Sequence, residues 1–164
     1  MSEYGFKLGM HLSELQLPFE ESLATAKELG AQYLWVNRIE DRPPIAEMSD
    51  EEVDQLGESV AAHGLEIFLL GAETPFKHIQ LTELKLDALD EHEGFRRDFE
   101  AIIRSMQVAR RLNVPGINAH AFAWPGEYGG AGKPTWPMRW LTQGGIIAES
   151  DMDKLVAIFT RVLA

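Results

Sequence analysis

The chain has 164 residues, 45% of them hydrophobic and 25% charged, with a formal charge of −11 and a pI near 4.8. So acidic a balance repels phosphate backbones, which argues against a nucleic-acid partner. With no cysteine, disulfides, thiolate metal sites and a cysteine nucleophile are excluded.

No apolar run approaches the roughly 20 residues that span a bilayer. The opening MSEYGFKLGMH lacks the basic and apolar regions of a secretory signal. These features lead to the expectation of a single soluble cytoplasmic domain over residues 1–164, with no membrane partner.

Short apolar runs alternate with amphipathic ones along the chain. A first strand is expected over Phe6 to Met10. Pro18 then opens a helix with Phe19, Leu23, Ala26 and Leu29 on one face, stopped by Gly30. Gln32 to Val36 reads as the second strand and RIEDRPPIAEM as a loop. Ser49 and Glu52 make a capping box for a helix that buries Val53, Leu56 and Val60 and stops at Gly64. Leu65 to Leu70 is apolar on nearly every residue, as a strand covered on both faces should be.

Gly71 to Asp90 reads as a long connection with room for one short helical turn. Phe95, Phe99, Ile102, Met106 and Ala109 recur at helical spacing, and Asn113 and Pro115 end that helix. A fourth strand is expected over Val114 to Ala119, then a loop of about 30 residues. Ser150 is expected to cap the last helix, with Met152, Leu155, Val156, Phe159 and Val162 on one face.

Strands alternating with helices imply an α/β fold with parallel strands and right-handed crossovers. The long loops follow strands, as in (β/α) barrels, whose sites lie at the strands' C-terminal ends. A full barrel takes about 250 residues, so four units make an incomplete TIM barrel, and the last helix running out without a stop suggests a truncation. A doubly wound sheet would carry GxGxxG after its first strand, and MHLSELQLPF does not. GEYGGAGKP is no phosphate loop: Glu127 stands where the first glycine should be, and Pro134 follows Lys133.

If the strands are parallel, their polar tips converge: Met10 and His11, Asn37 and Arg38, Gly71 to Glu73, and Asn118 to His120. Asn118 and His120 share one side of an extended segment, and a neutral imidazole there could bind a metal or a polyol hydroxyl. The bland alternative is a histidine hydrogen-bonded within its loop. His11 is a candidate substrate contact or a cap for the following loop, and Asn37 a candidate substrate contact or a turn-shaping residue. Glu73 is a weak candidate acid/base or metal carboxylate, against a surface loop charge.

Residues 121–149 form an aromatic and glycine-rich lid candidate. Trp124 and Trp136 are placed to lie on a sugar ring, or else to pack over the barrel or a neighbouring subunit. His63, His78 and His92 read as structural or surface residues.

The segments KLGM, LATAKELGAQYLWV, ESVAAHGLEIFLLG and AIIRSMQVARRLNVPGINAHAF resemble the N-terminal half of the xylose-isomerase-like barrels, the sugar phosphate isomerase/epimerase group. The resemblance implies proton transfer on a sugar or polyol, a small-molecule carbohydrate partner, and a divalent cation such as Mn, Mg, Zn or Co in the complete enzyme. The family's metal-binding carboxylates come from later strands, so His120 is the only ligand that carries over, and this chain alone is expected to be inactive. Two alternatives remain: a non-catalytic carbohydrate-binding barrel, and a half-barrel that assembles with a second copy as a homo-oligomer. An apurinic-endonuclease-like reading shares the fold, but the acidity counts against it.

Overall fold

The computed structural model describes residues 9–72, 75–119, 122–123 and 149–164. Strand and helix alternate: β1 (Gly9–His11), α1 (Phe19–Glu28), β2 (Tyr33–Val36), α2 (Asp50–Ala62), β3 (Glu66–Gly71), α3 (Glu93–Arg111), β4 (Ile117–Asn118) and α4 (Glu149–Leu163). The strands form one sheet in the order β1-β2-β3-β4, every pair parallel. Sequential parallel strands joined by helices make this the α/β architecture of a partial (β/α) barrel. The chain divides into two compact units, Met1–Glu73 with Ala101–Ala119, and Thr74–Glu100 with His120–Ala164.

The first unit holds the sheet and its core. Leu34, Val36, Ile67 and Leu70 on the strands are buried with Leu23 and Ala26 of α1, Val53, Leu56 and Val60 of α2, and Val108 and Ala109 of α3. Side chains alternate along a strand, so one face of the sheet carries these helix-packed residues. Tyr33, Trp35, Glu66 and Leu69 belong to the opposite face. Between β2 and β3 the register slips by one residue: Leu34 pairs with Ile67, but Trp35 pairs with Leu69. Phe68 is therefore the extra residue of a β-bulge.

Each of α1, α2 and α3 ends the same way. Ala31, Leu65 and Val114 donate their N–H groups to the carbonyls of Ala26, Val60 and Ala109, at 3.0, 3.1 and 2.8 Å. Gly30, Gly64 and Asn113 sit just before them with positive φ. These are Schellman endings, which satisfy the last helical carbonyls and turn the chain back toward the sheet. Asn113 does for α3 what glycine does for the other two, since Asn tolerates this conformation better than most residues.

Helix starts differ more. Ser49 and Glu52 form the expected capping box on α2. Pro18 offers α1 no side-chain cap; instead the Phe19 N–H donates to Asp41 Oδ1 at 2.9 Å. That bond pins the loop after β2 to the helix after β1. The acidic first turn of α2 is also clamped to α3. Arg104 bonds Asp50 and the Met48 carbonyl, each at 2.8 Å, and Arg111 grips Asp54 through two nitrogens at 2.6 Å.

In the second unit, Phe76 is fully buried and stacks on Phe95 and Phe122, with Phe159 edge-on. Its backbone has φ 65°, a strained value for a bulky residue, and its N–H donates to buried Asp98 at 2.8 Å. Short 3-10 turns at Leu81–Glu83 and Leu86–Glu91 occupy the connection before α3. On α4, Lys154 donates to the Leu81 and Thr82 carbonyls, and Arg161 bonds Asp90 and lies over the Phe99 ring.

Several details depart from expectation. β1 continues to His11 and β3 to Gly71, whereas β4 is confined to Ile117–Asn118. Leu29 lies at the C-cap of α1 and is 65% exposed, because the Schellman turn carries it off the buried stripe. The buried positions of α3 include the polar Asp98 and Ser105, each satisfied by hydrogen bonds. Helix α4 already includes Glu149 and Ser150, and it buries Asp151, Ile158 and Val162. Met152 and Val156 are exposed, so the expected face of α4 is rotated.

Candidate functional site

Parallel strands aim their C-terminal ends the same way, so the residues at β1, β2, β3 and β4 tips share one edge of the sheet. Three of the candidates from the sequence, His11, Asn37 and Asn118, lie in the described part of that edge. His11 ends β1 and pairs in register with Trp35. Asn118 ends β4 and pairs with Gly71. Asn37 directly follows β2. Trp35, Gly71 and Asn118 fall on the sheet face away from the helices by strand alternation.

The His11 ring stacks on Trp35, with centroids 4.1 Å apart and planes 17° from parallel. Its Nε2 lies 3.0 Å from Ser13 Oγ and its Nδ1 3.3 Å from Glu14 Oε1. The imidazole is thus fixed in plane and in tilt, with one face laid on the indole. Trp35 Nε1 is buried and has no hydrogen-bond partner among the described residues, a condition that costs about 1–3 kcal/mol.

Two glycines make room for side chains on this face. A Cβ on Gly71 would collide with Asn37 Cβ and come within 2.9 Å of its Cα. The absence of a side chain at 71 lets Asn37 lie across the end of β3. Asn37 Oδ1 in turn accepts the Arg38 N–H at 2.5 Å, which orients the amide. A Cβ on Gly9 would meet the Phe68 ring, so the bulged Phe68 lies across β1 on the same face as Trp35. Arg38 is an exposed neighbour engaged with Glu40 at 3.5 Å.

The other candidates, Glu73, His120, Trp124 and Trp136, lie outside the described residues, as does nearly all of the 121–149 segment. His63 and His92 are structural. His63 Nδ1 is 2.9 Å from the Ser59 carbonyl, and His92 Nδ1 accepts the Phe95 N–H at the start of α3. Trp35 and Phe68 were not singled out from sequence. Alternation within YLWV, with Leu34 and Val36 inward, already separates Trp35 from the core, but the bulge that redirects Phe68 has no local signal.

A divalent cation needs several converging ligands. Among the described residues, no group of three or more His, Asp or Glu side chains could hold one, and both His11 nitrogens already face Ser13 and Glu14.

No family model matches the chain, and no curated protein matches it. Among solved structures it is similar to D-psicose 3-epimerase crystallised in the presence of D-fructose, with a TM-score of 0.54 and 16% identity. The match covers 93% of this chain and 46% of that one, so the chain spans less than half of its structural neighbour. At this identity the likeness is one of fold: four parallel strand–helix units of a (β/α) barrel.

Proposed function

We propose that the chain provides the substrate-binding wall of a sugar isomerase or epimerase barrel, holding a sugar or polyol at the C-terminal strand edge. The observation that supports this best is that His11, Asn37 and Asn118 lie at one edge of the parallel sheet, with His11 stacked on the Trp35 indole. Carboxamides both donate and accept, which matches vicinal hydroxyls, while the His11 ring, its nitrogens turned to Ser13 and Glu14, braces the Trp35 indole. The aromatic surface suits the apolar face of a sugar ring. D-fructose in the neighbouring epimerase structure supports a ketohexose as the first ligand to try.

In this reading the described residues bind and orient. Proton transfer and any divalent cation fall to groups outside them, with Glu73 as the candidate acid/base and His120 as the candidate ligand. Trp124 and Trp136 are proposed to cover the bound sugar.

Saturation-transfer NMR of the chain with D-fructose, extended to other ketohexoses and aldohexoses, tests the binding role. Transfer should be seen, and Asn37→Ala and Asn118→Ala should each weaken binding about three- to tenfold, the worth of one hydrogen bond. No transfer from any of these sugars would remove the reading.

A further inference from the structure

We propose that His11, Ser13 and Glu14 form a nucleophilic triad, with Ser13 Oγ attacking the carbonyl carbon of short-chain carboxylic esters. The proposal is independent of the sugar-binding reading and stands on the turn that directly follows β1. Ser13 Oγ lies 3.0 Å from His11 Nε2, and Glu14 Oε1 lies 3.3 Å from His11 Nδ1. A serine nucleophile needs this order: hydroxyl, imidazole, carboxylate, each within reach of the next.

The directions of these contacts follow from the groups themselves. A carboxylate only accepts, so Glu14 favours the tautomer with its proton on Nδ1. Nε2 then presents a lone pair, and the Ser13 hydroxyl donates to it. Other described hydroxyls give their protons to backbone carbonyls: Ser22 to Leu17, Ser105 to Ala101 and Thr160 to Val156. A carbonyl cannot carry such a proton away. The Ser13 proton instead points at a base that can take it.

Three supports hold the turn. Leu12, between the base and the nucleophile, is buried in the core. Stacking on Trp35 fixes the imidazole plane. The Gln16 N–H donates to the Ser13 carbonyl at 3.3 Å, closing the 3-10 turn Leu12–Leu15. Ser13 itself is half-buried, and it lies at the C-terminal strand edge, where a barrel places its chemistry.

As Ser13 Oγ bonds to the carbonyl carbon, its proton passes to His11 Nε2. The carbon–alkoxy bond then breaks, Nε2 returns the proton to the departing alkoxide, and acyl-Ser13 remains. Water repeats the sequence on that acyl group, releasing the carboxylic acid and restoring the hydroxyl. The sum is ester plus water giving alcohol plus acid. Glu14 is a positioning residue. Its side chain is 75% exposed, so water screens its support of the imidazolium. That limits the reaction to esters, whose alkoxide leaves with less help than an amide nitrogen needs.

The probes are p-nitrophenyl acetate for turnover and diisopropyl fluorophosphate for covalent capture, each applied to the purified chain. Mass spectrometry should place the phosphoryl adduct on Ser13, and Ser13→Ala should abolish it. His11→Gln should slow labelling and p-nitrophenol release about a hundredfold, the lower worth of a general base. Glu14→Gln should slow both about fivefold, the upper worth of an exposed charge pair, with Glu14→Asp restoring part of the loss. If circular dichroism shows His11→Gln unfolded, the Glu14 variants, at an exposed position, carry the test. No adduct on Ser13 overturns the proposal. So does p-nitrophenol release undiminished in Ser13→Ala, since an imidazole alone cleaves that ester directly. An adduct that forms as fast in folded His11→Gln, or as fast in Glu14→Gln, overturns it too.

Discussion

Gly71 shows how closely the rim is fitted. Its missing side chain is space taken by Asn37, and the clash from an added Cβ involves the Asn37 Cβ and Cα, atoms that move only with the backbone. Gly71→Ala should therefore behave as overpacking, costing about 1–3 kcal/mol, read as a lower urea midpoint. It should also weaken sugar binding by displacing the Asn37 amide. A variant as stable as the parent would show that the strand end yields freely, and the rim would lose its claim to rigidity. His11, Asn37 and Asn118 were legible in the sequence because each marks a switch from apolar to polar at a strand end. The His11–Trp35 stack and the Asn37–Gly71 contact were not. Both depend on the register of neighbouring strands, which no local pattern states.

Among the elements, helix ends were the most readable features and helix faces the least. Gly30, Gly64 and Asn113 all proved to be left-handed stops, and the Ser49–Glu52 box is formed on both sides, at 2.7 and 3.2 Å. Faces were harder, because periodicity marks what is apolar and not what is buried. Asp98 and Ser105 occupy buried positions of α3 with partners that sequence spacing does not reveal, and α4 presents Met152 and Val156 outward. The α1 cap from Asp41 was invisible for the same reason: it comes from 22 residues away.

The capping box carries its own prediction. Ser49→Ala removes the acceptor of the Glu52 N–H and should lower stability by about 1 kcal/mol at neutral pH. The Ser49 backbone N–H, and then its hydroxyl, hold the Glu52 carboxyl below its ordinary value of 4.5. The folded chain thus binds this proton less readily than the unfolded one. The contribution is complete above 4.5 and is lost as pH falls through the lower folded value. Urea midpoints of the parent and of Glu52→Gln, compared at pH 7 and below 4.5, should converge on the acid side. Parallel curves would mean that the box does not couple to protonation.

For the whole molecule, the charge of −11 discriminates between ligands that the rim alone does not. A neutral sugar feels no net field, so its affinity should stay constant with ionic strength. A sugar phosphate must approach a strongly negative body, and Arg38, the cation at the described rim, is already engaged with Glu40. Screening lengths fall from about 30 Å at 0.01 M salt to about 3 Å at 1 M, so repulsion of a phosphorylated sugar should relax over that range. Titrating D-fructose and its phosphate side by side should give a flat profile for the first and, if the second binds at all, an affinity that rises with salt. Phosphate-sugar affinity that instead falls with salt would indicate a basic subsite engaging the phosphate. The ligand would then be a phosphorylated sugar, held by cations outside the described rim.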